Sequence, residues 1–297
     1  MAVRGFSHSR PLFAVLVLAP LLWMSAPGTA SADENEATLR WNPRFTRFTT
    51  AQYMLTGVMA GGLLATDQLL HASSEPRWRG DILLDGQARS LLGASSEGDR
   101  RSASSVSDML AMGLVLYPFV IDSGLVAAGV HGNYDVAYQM ALISVQAVLA
   151  TKLITGLTKD LVGRARPDAG RCEAGNELAC GSETESFISG HTSGAFAGAG
   201  LICAHHQNLP LYGDNAAGAV ACGLSLGTAT TVGALRLVAG RHHLSDVLAG
   251  AAVGMAAGYL LPNLLNYDFG ESHSDSDAVI MPLAGDGTLG VSYMRSW

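Results

Sequence analysis

Apolar residues along the chain gather into runs of about twenty at helical spacing, separated by polar stretches. The runs fall at Ala51–Leu70 and at about 106–129, 136–163, 192–208, 216–237 and 245–265. They predict an all-α protein, a helical bundle of about six core helices over residues 33–266. Small residues such as Gly194, Gly198 and Gly200 let helices approach closely. Pro262 is expected to end the last helix. Residues 72–105 are charged and rich in Ser and Gly, which predicts a loop or short-helix region over the core. After an acidic, Ser-rich linker (Glu271–Asp277) the period changes. Ala278–Leu283 and Thr288–Met294 flank Ala-Gly-Asp-Gly and predict a β-hairpin within a tail of residues 267–297.

The first 32 residues read as a signal peptide. Arg4 and Arg10 precede an apolar run from Pro11 to Met24, and Ala30-Ser31-Ala32 is a small-residue cleavage site. Export places the mature chain in the periplasm, soluble or held peripherally at a membrane surface. The alternative is an integral inner-membrane protein, since each run is long enough to span. Asp67, Asp108, Asp122 and Lys152 in or near the runs argue against that, because charge is costly in lipid. Three spans after a cleaved signal would also carry Cys172 and Cys180 to the cytoplasm. These two cysteines flank a short polar loop and are the disulfide candidate for an exported chain. Cys203 and Cys222 lie in apolar helical segments, either paired across two helices or buried as free thiols.

Charge sharpens the picture. The formal net charge is -7 over 297 residues, with 14% charged residues, which argues against nucleic acid as a partner. Yet Cys172 to Leu235 contains no Lys or Arg, and the basic residues from Lys159 to Arg241 concentrate at its two ends. A locally cationic site in an acidic protein suits an anionic substrate. Three short stretches carry the candidate chemistry. Lys159-Asp-Leu-Val-Gly-Arg-Ala-Arg166-Pro167 spaces a lysine from an Arg-Pro pair. Ser189-Gly190-His191 stands at the expected start of a helix. Arg236, His242 and Asp246 follow at intervals of six and four. On a helix His242 and Asp246 would share a face, where the carboxylate accepts a hydrogen bond from the imidazole and leaves the other ring nitrogen free to attack.

In this order and spacing the three stretches resemble the type 2 phosphatidic acid phosphatase superfamily. It includes bacterial acid phosphatases, lipid phosphate phosphatases and vanadium haloperoxidases, and the resemblance covers roughly residues 105–262. Ile188 stands where that family usually has Pro, and Leu235 where Ser is common. The resemblance implies a metal-independent phosphatase acting through a phosphohistidine. His242 is the nucleophile, Asp246 its orienting partner, and His191 the acid and then the base. Lys159, Arg166 and Arg236 hold the phosphate oxygens, with Ser189 and the Gly190 N–H as further donors. The substrate is a phosphorylated lipid, such as phosphatidic acid or a polyprenyl diphosphate, or a small phosphomonoester. No cofactor and no metal are expected. Vanadate, a phosphate mimic, would fit the same pocket, so a vanadium haloperoxidase is one alternative and a non-catalytic exported binding protein another. Of the neighbours, Arg164 reads as a loop charge or one that supports the direct ligands, Arg241 and His243 as flanking residues, and Lys152 as structural. His205 and His206 read as solvated near a helix end.

Overall fold

Helix boundaries follow capping chemistry more closely than the apolar runs do. A computed structural model of the chain describes residues 39–69, 75–169, 183–267, 278–285 and 288–295. Among them are seven helices: α1 (Thr50–Leu69), α2 (Asp85–Leu92), α3 (Glu97–Tyr117), α4 (Tyr134–Val162), α5 (Gly190–Asn208), α6 (Asn215–Val238) and α7 (Leu244–Met255). α3 begins well before its apolar stripe. Ser96 caps it by accepting the Asp99 N–H, and Glu97 and Asp99 in the first turn suit the positive end of the helix dipole. Beyond Pro118 it continues in wider, π-type turns as far as Val130. α7 passes into similar turns at Ala256–Leu260 and Asn263–Tyr267. Pro262 therefore does not end the last helix as expected. A proline without an N–H is tolerated where the turns have already widened.

α5 is the axis of the bundle. It packs against α3, α4, α6 and α7, and nearly all of its residues are buried. Glycines explain how backbones come so close. Gly250, Gly254 and Gly258, four apart on α7 and its continuation, face the backbone of α5. A Cβ at Gly254 would stand 2.4 Å from the Ser193 carbonyl oxygen and one at Gly258 2.1 Å from that of Ala197. This is close packing by small residues at every fourth position. It also sets the register between the two helix starts: the Ser189 N–H donates to the Asp246 carbonyl at 3.1 Å.

Cys203 of α5 and Cys222 of α6 form a disulfide, deciding between pairing and free thiols. The expected Cys172–Cys180 disulfide and the expected leader over residues 1–32 fall outside the described residues. The fold class rests on the helices, and a hairpin packed against the body stays an expectation.

At the end where α4 begins and α5 finishes, buried polar side chains bond one another. His206 meets Asp122 at 3.1 Å, and His205 sits between Ser144 and Tyr267 at 3.1 and 2.7 Å. Gln52 donates to Gln146 and Asn266, both at 3.1 Å. The expectation that His205 and His206 are solvated is wrong, because both are buried. They fall on α5, which has almost no free surface.

Candidate active site

The end of α4, the start of α5, the end of α6 and the start of α7 meet at the opposite end of the bundle, and the predicted catalytic and phosphate-binding residues lie on them or in the segments beside them. α4 stops because Gly163 adopts a left-handed conformation (φ 58°) and its N–H returns to the Lys159 carbonyl. The following residues run extended. The Ala165 N–H donates to the Trp78 carbonyl, the Arg166 N–H to Glu183, and the Ser186 N–H to Arg164. Ser189 caps α5 with its side chain, its hydroxyl 2.8 Å from that of Thr192. Gly190 opens the helix near the Lys159 ammonium.

His242 is almost wholly buried, and its Nδ1–H donates to the Ser186 carbonyl at 2.8 Å. A carbonyl can only accept, so this bond assigns the proton to Nδ1 and leaves the Nε2 lone pair free. The expected bond to Asp246 does not form, since Nδ1 stands 3.9 Å from the nearer carboxylate oxygen. His242 precedes the helix instead of lying on it, so the shared-face argument does not apply. Asp246 is also fully occupied. Its Oδ2 accepts from the Ser186 hydroxyl at 2.6 Å and the His243 N–H at 2.8 Å, and its Oδ1 from Arg164 at 2.5 Å. Asp246 therefore acts on His242 through Ser186, whose carbonyl holds the ring while its hydroxyl bonds the carboxylate.

Arg164 is the hub of this end. Wholly buried, it donates to Asp246 and Ser245 through Nη1, and to Asp85 (2.7 Å) and the Gly80 carbonyl (3.0 Å) through Nη2. Its guanidinium lies 4.0 Å over the Trp78 ring. Asp85 further accepts from the Ser245 N–H and the Ile82 N–H. Burial pushes the Asp85 carboxyl up, but these N–H donors and Arg164 outweigh it and hold it at about 2. Asp81, Asp85 and His243 lie close enough to share a cation. Asp85 already has Arg164 as its counter-charge and Asp81 has Arg89, at 2.6 Å.

Two of the cations keep N–H groups without a hydrogen-bond partner. Arg166 is buried, and neither its Nε nor its Nη1 has a hydrogen-bond partner. Burial, and then the nearby Arg241, lower its guanidinium to about 10. Arg236 directs Nη1 at Ser107, Ser104 and Asp108, while its Nε stays unbonded. Lys159 has Glu185 at 3.9 Å. Burial and the charges of Arg166, Arg236 and Lys159 push His242 well below the ordinary imidazole value. His191, pushed down to about 4 by burial and then by Arg236, is neutral too. Two neutral imidazoles among crowded, partly unbonded cations form a site in want of an anion.

Asp108 is the residue of this cluster that the spacing argument missed. One oxygen accepts from Arg236 at 2.8 Å and lies 2.9 Å from His191 Nε2. It links Arg236 to the expected acid. The available signal was a lone carboxylate on an apolar helix behind three serines, Ser104, Ser105 and Ser107. Arg164, expected to be a loop charge or one that supports the direct ligands, holds Asp246. Arg241 pairs with Asp168 at 3.1 Å, and His243 forms the N-cap of α7.

Residues 140–269 match the PAP2 superfamily. The chain is also similar to a PA-phosphatase related-family protein of Dictyostelium discoideum. The two are 31% identical over 155 residues, which is 50% of this chain and 55% of that protein. Lipid phosphate phosphatase 2 of Arabidopsis thaliana is 34% identical over 129 residues, 37% of this chain and 44% of its own. The chain spans about half the length of the curated relatives it matches.

Proposed function

We propose, from the match of residues 140–269 to the PAP2 superfamily, that the chain is a metal-independent phosphatase of lipid phosphates acting through a phosphohistidine. The observation that carries the reading is the His242 ring, held by Ser186 with Nε2 free among Lys159, Arg166 and Arg236. The phosphoryl group sits among the three cations, which match the charge on its non-bridging oxygens. His242 Nε2 bonds to phosphorus as the ester P–O bond breaks, and the leaving oxygen takes a proton from His191. A bound dianion raises His191 from its depressed value and allows it to carry that proton. In the second half, His191 removes a proton from water. The water oxygen bonds to phosphorus, the P–N bond breaks, and inorganic phosphate leaves.

A lipid substrate is supported by the surface. Four helical stretches, Glu97–Val130, Tyr134–Val162, Asn215–Val238 and Leu244–Tyr267, are long and apolar enough to cross a membrane. Large apolar side chains such as Met109, Met112, Val120, Leu125, Leu161, Leu224 and Leu248 lie exposed on them. Large apolar side chains exposed on helices of this length favour lipid contact over a soluble periplasmic body. We therefore place the protein in the membrane, with its site at one end of the bundle. The test is phosphate release by the detergent-purified full chain, with EDTA present, from phosphatidic acid and from p-nitrophenyl phosphate. Turnover of the lipid, and acid-labile phosphate trapped on wild-type protein but not on His242→Ala, are expected. Retained turnover in His242→Ala would sink the mechanism.

A further inference from the structure

One face of α3 is built around Arg236. Ser104, Ser107 and Asp108 are spaced three and one apart, so they share that face. All three accept from Nη1 of Arg236, at 3.2, 2.9 and 2.8 Å. The two serine hydroxyls already hold the guanidinium in place. Asp108 adds a charge, and the oxygen that accepts from Arg236 also stands 2.9 Å from His191 Nε2. Its side chain is half-exposed, unlike those of Asp85 and Asp246, which are wholly buried against Arg164.

The surroundings of His191 work against an acid. It must hold a proton while the ester is bound and release it as the P–O bond breaks. Burial disfavours the imidazolium, as do Arg236 of α6 and Lys159 and Lys152 of α4, and the ring is pushed down to about 4. Asp108 of α3 is the charge that acts the other way. A carboxylate at contact distance stabilises imidazolium over imidazole, and more strongly once a bound lipid displaces water. We infer that Asp108 is a positioning residue for the acid: through one oxygen it fixes the spacing of His191 and Arg236 and keeps His191 able to carry the leaving group's proton. The inference rests on the phosphatase reading above and adds no chemical step. The proton passes from His191 to the leaving oxygen, and none passes through Asp108.

The leaving group separates this role from a structural one. Phosphatidic acid expels an alkoxide, which needs a proton, whereas p-nitrophenyl phosphate expels a phenolate that is stable without one. The experiment compares kcat/KM for the two substrates with the full chain in detergent, wild type against Asp108→Asn, which keeps the shape and removes the charge. The lipid-to-nitrophenyl ratio is expected to fall about tenfold, a part of what a general acid contributes. Asp108→Glu should restore some of it. The high-pH limb of kcat for phosphatidic acid, where the acid loses its proton, should move to lower pH in Asp108→Asn, because removing a negative charge disfavours the imidazolium. A residue that only held Arg236 would lower both substrates alike, so an unchanged ratio overturns the inference. A rise for both substrates would overturn it as well, and would make the carboxylate a competitor for the place of the bound anion. Wild-type protein inert toward both substrates would overturn the parent reading together with this one. Wild-type turnover of both with no response of the ratio to Asp108→Asn would overturn this inference alone.

Discussion

Both ends of the helical bundle bury polar side chains, and they use them differently. At the end where α5 finishes, His205, His206, Asp122, Gln52 and Asn266 mostly bond one another and hold the helices in register. At the end where α5 starts, the acids are taken up while the cations keep free donors. Asp85 and Asp246 are consumed by Arg164, and Asp108 by Arg236 and His191. Arg166 and Arg236 retain unbonded N–H groups beside a ring nitrogen with no proton. A buried network of mixed acid, amide and imidazole groups is a structural element, even with Asp122 Oδ2, Gln146 Nε2 and His206 Nδ1 unbonded. One left open in a single sign of charge is a receptor for the opposite sign.

That contrast predicts rate effects at one end and stability effects at the other. The largest expected effect is His242→Ala, which should lower kcat by about a thousandfold or more while leaving the thermal midpoint near that of the wild type. Assays on purified protein with a melting curve on the same sample check it. Arg164→Met should break the simple division. It leaves Asp85 and Asp246 buried without a cation, so unfolding should become easier by about 3–5 kcal/mol, with activity falling as His242 loses its support. Denaturant titration alongside turnover measures both, and a stable, fully active variant would show that Arg164 is dispensable. At the far end, replacing Cys203 and Cys222 by Ala opens a crosslink of 19 residues separation. It should cost up to about 3 kcal/mol of stability with kcat per folded molecule unchanged. A smaller effect tests the crowding of charge. His242 sits below its ordinary value partly because of Arg166. The free enzyme should therefore keep a neutral nucleophile well below pH 6.5. Removing the cation makes imidazolium less unfavourable, so in Arg166→Gln the acidic limb of kcat/KM should move to higher pH. A shift in the other direction would contradict the electrostatic account.

Much of this was legible along the chain. The apolar runs located the long helices, and three spaced motifs located Lys159, Arg166, Ser189, Gly190, His191, Arg236 and His242, which the fold gathers at one end. The expected His242–Asp246 bond was not legible, because spacing says which residues could meet on a helix but not where the helix starts. With the N-cap at His243, Asp246 turns back to its own helix terminus and to Arg164. Asp108 was missed for a related reason: its partners lie 128 and 83 residues further along, and no local period encodes such a contact.

By itself, the sequence determined the residue types of the site, their order and the helices that carry them, because periodicity and capping act over a few residues. Only the tertiary structure decided which acid serves which base. Close glycine contacts between α5 and α7 set where Ser186, Ser189 and Asp246 stand relative to His242. In a buried site a carboxylate bonds the strongest donors that this packing brings within reach, and for Asp246 these are Arg164, Ser186 and its own helix end.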